Sequence, residues 1–317
     1  MMASKIDKHS QNGNSSGDRS STHDPTELVA VMRAEMKKRA RTNPDLYHPA
    51  DVKRLDEESD DWFVDFLEEK SYHLNDSLEL FDQNLKWRKS YGVNDMKDSD
   101  FPADFFRTGE FHTFHDDKNG IHMVYIRGSH HRIVSYWKEL EKKFMIYIME
   151  QQYRRYRKDK KRMALVMDAR NCSILRTELD LNYHGYKALT HYYPRSLQYI
   201  LIYDLPWILT ALYNIVRSWF PPYYKQLIKT ITESSGELES VVGLENVPTY
   251  LNGKAEMIYP EGAYKCLEVA EFVKQNNMPD AAINQFNSNF SFAIKDFLAY
   301  QQNNNNLKNV QNSTLGK

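Results

Sequence analysis

The most apolar stretch of the chain lies at residues 199–220 and predicts a buried strand that leads into a helix. Residues 199–203 are apolar without polar alternation, which is typical of a strand covered on both faces. Asp204 and Pro206 then supply a helix cap and a residue favoured in the first turn. The predicted helix, residues 206–220, is apolar on nearly every face and ends at a Pro-Pro pair.

A helix of this kind must be buried, span a membrane or cover something apolar. At about 1.5 Å per residue it would be roughly 22 Å long, short of the about 30 Å hydrocarbon core of a bilayer. A spanning helix is therefore disfavoured. The pattern leaves two alternatives open: a helix inside a large α/β core, or a lid over a cavity the size of a lipid.

Residues 25–92 show helical periodicity and predict a small helical domain. Its clearest helix carries apolar residues on one face, at Leu74, Leu78, Phe81 and Leu85. Gly92 follows as a stop. The polar residues 1–24 and the Asn/Gln-rich tail 301–317 are predicted to be disordered.

From about residue 100 the pattern alternates between strands and helices. Two strand-like runs flank an Asn-Gly turn and predict a hairpin. The predicted strands are 111–115, 121–126, 163–168 and 198–203, with helices at about 132–158 and 177–192. This order predicts right-handed βαβ units and a mostly parallel sheet.

Later elements are predicted with shorter patterns. Residues 227–231 and 241–242 are further strand candidates, and residues 256–300 are predicted as C-terminal helices. Those helices carry an amphipathic stripe of Ile283, Phe286, Phe290, Ile294 and Phe297. We expect the stripe to pack on its own domain rather than on a membrane, because its polar face is poor in Lys and Arg.

Two dipeptides around the apolar stretch carry a resemblance to a known family. Tyr193-Pro194 before the strand and Pro206-Trp207 at the start of the helix resemble the gate region of the CRAL-TRIO lipid-transfer family. The resemblance covers about residues 50–255, with 25–92 similar to the family's N-terminal helical domain and 100–255 to its lipid-binding domain. The overall sequence pattern is most similar to the CRAL-TRIO part of motile-sperm-domain-containing proteins. It implies an α/β fold whose mostly parallel sheet floors a lipid cavity, with a gate helix over it.

Composition narrows the class of protein. Lys and Arg total 42 against 43 Asp and Glu, a formal net charge of −1, which argues against a dedicated nucleic-acid binder. Cys172 and Cys266 are the only cysteines, so no disulfide framework is expected and a reducing compartment is favoured. The polar N-terminus predicts no secretory signal. We expect a cytoplasmic protein that associates peripherally with endomembranes.

Catalytic motifs are absent from the sequence. It has no phosphate-binding glycine loop, no zinc-protease motif and no nucleophile elbow. His112 and His115 would point to opposite faces of a strand, so a metal site with His122 is disfavoured. Asp168 ends a predicted strand where catalytic acids often lie, but a cap or solvent-facing charge is favoured. We therefore predict no enzyme, no cofactor and no metal.

The resemblance implies that pocket residues come from the strands and the gate helix. The predicted pocket residues are Tyr125, Phe144, Met167, Leu201, Tyr203, Ile208 and Leu212. The predicted gate residues are Pro206, Trp207, Leu209, Tyr213 and Val216. The expected function is to bind one hydrophobic lipid and exchange it with membranes, and the alternative is a scaffold without a cavity that binds a protein partner or senses membranes.

Basic residues near the gate helix predict contact with an anionic membrane. Arg217, Lys225 and Lys229 flank the helix, and Lys225 matches a position used by phosphoinositide-binding members. A phosphoinositide is therefore the headgroup candidate, while sterol, tocopherol-like and retinoid ligands stay open. A second basic run, residues 154–162, is interpreted as a solvated helix end. The sequence predicts no nucleic-acid partner and leaves the oligomeric state open.

Overall fold

The computed structural model describes residues 24–315, with side chains described as far as residue 302. The predicted disorder of 1–24 lies, except for residue 24, outside the described residues. The helices are α1 (Pro25–Thr42), α2 (Pro49–Glu57), α3 (Asp61–Glu69), α4 (Leu74–Tyr91), α5 (Ala103–Thr108), α6 (Lys138–Asp159), α7 (Leu179–Lys187), α8 (Thr210–Trp219), α9 (Pro222–Leu227), α10 (Glu237–Val242), α11 (Gly262–Lys265), α12 (Val269–Gln275) and α13 (Ala281–Leu315). The strands are β1 (Phe111–Thr113), β2 (His122–Arg127), β3 (Met163–Asp168), β4 (Leu197–Tyr203) and β5 (Ile228–Ile231).

The strands form one sheet in the order β1-β2-β3-β4-β5. The β1–β2 pair is antiparallel, as the predicted hairpin requires, and every other neighbouring pair is parallel. Helices connect the parallel strands, with α6 between β2 and β3 and α7 between β3 and β4. The predicted fold class, an α/β domain with a mostly parallel sheet preceded by a helical region, is confirmed.

The two faces of the sheet bury different cores. Alternate residues of the strands point to opposite faces. One face carries Met123, Tyr125, Ala164, Val166, Leu201, Tyr203 and Ile231, which pack with Leu238 and Val242 of α10. The other face belongs to the larger core that also holds the N-terminal helices, α6 and α13.

The N-terminal helices dock on α6 through buried charges. Arg88 of α4 contacts Asp51 of α2 at 3.0 Å and donates to both oxygens of Glu150 of α6 at 2.9 Å. All three side chains are almost fully buried. Although burial opposes ionisation, the Arg88 guanidinium holds the pKa of Glu150 at about 2. The Trp87 ring also stacks on Tyr192 with centroids 3.6 Å apart.

The crossover between β4 and β5, residues 204–227, contains α8 and is held at both ends. At its start the backbone N–H of Asp204 donates to Ile231 at 2.9 Å, and its carboxylate accepts from the N–H of Glu233 at 3.0 Å. At its other end the buried Tyr224 hydroxyl lies within hydrogen-bond distance of two acceptors, Glu69 Oε2 at 3.0 Å and the Leu189 carbonyl at 3.1 Å. Between these anchors α8 contains no buried residue.

Several predicted elements differ from the structure. Residues 241–242 end α10 instead of forming a strand, because the acidic first turn at Glu237 and Glu239 starts a helix that includes them. The predicted helix at 206–220 begins with a 3-10 turn at Trp207–Leu209 and becomes α-helical at Thr210. The C-terminal stripe packs on the domain as expected, with Phe286, Phe290 and Phe297 buried.

The end of the chain also differs from its prediction. The backbone of 301–315 is described as the end of α13, where the sequence predicts a disordered tail; no proline or glycine interrupts the helix there. Within the described residues, every helix is either too short or too polar to cross a bilayer.

Candidate binding cavity

A cavity of about 230 Å³ lies between the sheet and the helices α7 and α8. Its floor consists of strand residues that share one face of the sheet: Ile126, Leu165, Met167, Ile200, Ile202 and Ile228. Its roof consists of Leu209, Leu212, Tyr213, Val216 and Phe220. The walls include Met145 of α6 and Leu181, Gly185 and Tyr186 of α7. The lining is therefore mainly aliphatic and aromatic.

Strand alternation decides which predicted pocket residues reach this cavity. Met167 and Leu212 line it. Tyr125, Leu201 and Tyr203 instead lie on the opposite face of the sheet, in the core with α10. Because β3 and β4 are covered on both faces, their apolar runs show no alternation from which to choose the correct face. The cavity-facing residues are the immediate neighbours, such as Ile126 and Ile202.

The other two predicted pocket residues also lie elsewhere. Phe144 is buried in α6 and lines a separate space of about 20 Å³, with Phe105 and Phe286 among its neighbours. Ile208 lies on the outer side of the 3-10 turn, 50% exposed.

The predicted gate residues divide between the inner and outer faces of the roof. Leu209 is buried, and Tyr213 and Val216 are half-buried above the cavity. Trp207 is 85% exposed, and Ile215 of α8 is half-exposed on the outer side. Pro206 precedes the turn without lining the cavity. The roof therefore turns apolar residues inward, and its outer side mixes exposed apolar residues with the exposed polar residues Thr210, Asn214 and Ser218.

The three residues predicted to contact an anionic lipid lie in different environments. Arg217 lines the cavity and donates to the Lys225 carbonyl at 3.2 Å. Lys225 is half-buried. Lys229 forms an ion pair with Glu237, which compensates its charge.

A buried polar cluster lies at one wall of the apolar cavity. His131 Nδ1 lies 2.8 Å from Glu110 Oε1 and 2.9 Å from Glu141 Oε1, and all three residues are buried. Burial lowers the pKa of His131, but hydrogen bonds with both glutamates outweigh it and raise this pKa to about 10. Burial and the adjacent Glu110 raise the pKa of Glu141 above its ordinary value. The cluster therefore retains protons that isolated side chains would release.

The second ring nitrogen of this histidine is available to the cavity. Within the part of the chain that the structure describes, His131 Nε2 has no hydrogen-bond partner. It lies 3.9 Å from Glu178 Oε2, too far for a direct hydrogen bond. Glu178 in turn pairs with Lys138 at 2.6 Å. Both His131 and Glu178 line the cavity, so a small polar group between them would accept from one and donate to the other.

The same cluster offers the donors of a metal site. One ligand atom each from Glu110, His131 and Glu141 lie within 4.8 Å of one another, and carboxylate and imidazole donors suit divalent transition metals. The protons that the cluster retains already offset the negative charge of the two carboxylates, so this charge does not require a metal ion. Sequence reasoning missed this cluster, because its members come from three separate segments and lack a shared spacing.

Two histidines and the acid considered in the sequence analysis each have their own partners in the fold. His112 bonds to the Gly109 carbonyl and the Tyr250 hydroxyl, each at 3.0 Å. His122 lies between Asp116 and Asp159. Asp168 is buried and pairs with Arg170 at 2.9 Å.

Comparisons with known proteins agree with this architecture. Residues 106–253 match the family model of the CRAL/TRIO domain. A CRAL-TRIO domain-containing protein of Schizosaccharomyces pombe is 22% identical over 229 residues, which cover 69% of this chain and 50% of that protein. The phosphatidylinositol transfer protein CSR1 of Eremothecium gossypii is 21% identical over 224 residues, 64% of this chain and 50% of that protein. The chain thus spans about half the length of these curated relatives.

A solved structure shares the fold. The crystal structure of Sfh5 aligns with a TM-score of 0.54 at 12% identity, over 79% of this chain and 97% of that chain. At this identity the likeness concerns the fold alone.

Proposed function

We propose that this chain, whose residues 106–253 match the family model of the CRAL/TRIO domain, binds one hydrophobic lipid beneath α8 and exchanges it with membranes. The observation that carries the proposal is the apolar cavity, whose roof also leaves large apolar side chains in solvent. A roof that served only to fill a core would gain nothing from exposed apolar side chains of this size. Here Trp207 and Ile215 occupy the solvent side.

Exchange of this kind needs no bond to be made or broken. A lipid that leaves a bilayer through water exposes its acyl chain at about 0.8 kcal/mol per CH₂. A dry cavity removes that cost. The exposed side chains of Trp207, Ile208 and Ile215 can enter the interface of a bilayer, where burial of their apolar surface is favourable.

The buried polar cluster supports a particular placement of the ligand. A hydroxyl between His131 and Glu178 would satisfy the uncommitted N–H and donate to the carboxylate. The apolar part of the lipid would then lie against Met167, Ile202 and Leu212. A sterol, a tocopherol-like phenol or a retinoid alcohol fits this description.

Phosphatidylinositol, named in the Eremothecium gossypii relative, is the other candidate. The cavity of about 230 Å³ is smaller than the about 300–1,000 Å³ of typical small-molecule sites. A lipid with two acyl chains therefore requires α8 to move outward. The protein would act peripherally, on the cytoplasmic side of endomembranes.

Two adjacent residues of α8 give a matched test. Val216→Phe adds volume inside the cavity, whereas Ile215→Phe adds similar volume on the exposed outer face. After incubation with vesicles that contain phosphatidylinositol and sterol, native mass spectrometry of the reisolated protein reports the bound lipid. We expect a lipid adduct for the wild type and Ile215→Phe, and its loss in Val216→Phe. A wild type that stays at its apo mass would favour the scaffold without a lipid ligand.

A further inference from the structure

A second depression lies beside the cavity and faces solvent. It has a volume of about 460 Å³ and is lined by Arg132, Ile133, Leu175, Arg176, Ser288, Asn289, Ser291 and Phe292. We call these residues the arginine cleft. Arg132 and Ile133 precede α6, Leu175 and Arg176 belong to a 3-10 turn before α7, and the other residues belong to α13.

The cleft collects positive charge without an acidic partner. Within the described residues neither Arg132 nor Arg176 forms an ion pair with a carboxylate, and the lining contains neither Asp nor Glu. Burial and the charge of Arg176 lower the pKa of Arg132, and the charge of Glu110 opposes this shift. Uncompensated arginines held together favour an anion between them.

The local structure fixes the first of these arginines in place. Its guanidinium stacks on the Phe292 ring at 4.5 Å. Arg132 Nη1 donates to the Ser129 and His131 carbonyls at 2.8 Å and 2.7 Å. The remaining N–H groups are available to the cleft, where Ser288, Asn289 and Ser291 add short hydrogen-bonding side chains.

Exposed apolar side chains border the same cleft. Leu175 is 87% exposed and Ile133 is 50% exposed. A site for a soluble ion would gain nothing from an exposed leucine beside its arginines. An exposed leucine does suit a surface that enters a bilayer. Arg176 also lines the cavity, so the cleft borders the place where a lipid would enter or leave.

From these observations we infer that the arginine cleft binds the phosphate of a phospholipid headgroup in a bilayer, while Leu175 and Ile133 insert beside it. The inference rests on the proposed function, since it supplies the membrane contact that exchange requires. It assigns this contact to Arg132 and Arg176, because Lys229 is compensated by Glu237. It also gives α13, which lies beyond the matched domain, a part in the binding surface.

Binding of the full chain to phosphatidylcholine vesicles with added phosphatidic acid tests the inference by cosedimentation. Arg132→Gln/Arg176→Gln should weaken vesicle binding by about tenfold or more. The control Lys158→Gln/Lys161→Gln removes the same charge from exposed positions at the end of α6 and in the turn after it, and should change binding less than about threefold. Equal losses in the two double variants would overturn the inference, because nonspecific charge would then explain the binding.

Three further measurements keep the outcome unambiguous. The exposed side chain of Arg176 makes no hydrogen bond within the described residues, so the single variant Arg176→Gln is expected to fold even if the double variant does not. It should still weaken vesicle binding severalfold. Leu175→Ser should weaken binding at unchanged charge. If inorganic phosphate binds the vesicle-free protein through the arginines while Leu175→Ser binds vesicles normally, the site takes a soluble anion and the bilayer assignment is wrong.

The cavity variant separates this inference from the proposed function. Val216→Phe should lose its lipid adduct and still bind the vesicles like the wild type. If the wild type takes up no lipid but binds vesicles through the arginines, the cleft assignment stands and the proposed exchange fails.

Discussion

Two contacts of the molecule are held by different kinds of interaction: the junction of the N-terminal helices with α6 at Arg88, and the roof that α8 forms over the cavity. At the junction, three buried charged side chains from α2, α4 and α6 meet at 2.9–3.0 Å. The roof meets the cavity through Leu212, Tyr213 and Val216, and none of the residues of α8 is buried. Charge-assisted hydrogen bonds demand one geometry, whereas apolar contacts are non-directional. The chain therefore uses directional contacts where helices must stay fixed, and apolar contacts where a helix has freedom to shift.

The largest expected effect is at the junction. Arg88→Ala leaves Asp51 and Glu150 buried without their partner, so we expect the free energy of unfolding to fall by about 3–5 kcal/mol. Urea unfolding followed by circular dichroism measures this change. The neighbouring exposed Lys89→Ala should stay within about 0.5 kcal/mol. A loss below about 1 kcal/mol for Arg88→Ala would show that the junction is not rigidly held.

The polar cluster at the cavity predicts a pH dependence of intermediate size. The pKa of Glu141 is raised on folding and that of His131 is raised to about 10, so the folded state binds more protons than the unfolded state. Stability from Glu141 is present below its unfolded pKa of 4.5 and is lost as the pH rises through its folded value. The His131 contribution is present below 6.5 and is lost toward pH 10.

Glu141→Gln isolates the first of these contributions. Each excess proton gives a slope of about 1.4 kcal/mol per pH unit. Between pH 5 and pH 6.5 we expect wild-type stability to fall with rising pH by a larger amount than that of the variant. Asp65, whose pKa burial also raises, to about 7, is present in both proteins and cancels in the comparison. Parallel pH profiles would show that Glu141 is ionised in the folded protein.

The smallest effect on stability is expected at the roof. Trp207→Ala removes a side chain that is 85% exposed, so the free energy of unfolding should change by less than about 0.5 kcal/mol. The matched change in α3, Trp62→Ala, removes a buried ring and should cost about 3–5 kcal/mol. In a vesicle-to-vesicle lipid exchange assay, Trp207→Ala should be slower than the wild type. Large and equal losses of stability in both variants would contradict a loosely held roof.

Elements with strong periodicity were predictable from the sequence. The hairpin, the strand at 163–168 and the apolar helix after Asp204 all follow patterns that local physics enforces. When both faces of a strand are covered, its sequence does not show which residues point to which face of the sheet. For that reason the predicted pocket combines Met167, which lines the cavity, with Leu201 and Tyr203, which face the other core.

The polar residues of the site are far apart in the sequence and come together only in the fold. Glu110, His131 and Glu178 meet only because the sheet edge, the loop before α6 and the start of α7 converge. The arginine cleft likewise joins a loop, a turn and α13. No local spacing in the sequence marks such residues.

The anchors at Asp204 and Tyr224 have a consequence for variation among related chains. Both anchors bond to the sheet end or to the N-terminal helices, and none of the residues of α8 between them is buried. Substitutions at Leu212, Tyr213 or Val216 can then change the shape of the chamber with little penalty to the scaffold. Ligand preference can diversify within a handful of positions while the rest of the molecule is conserved by its own packing.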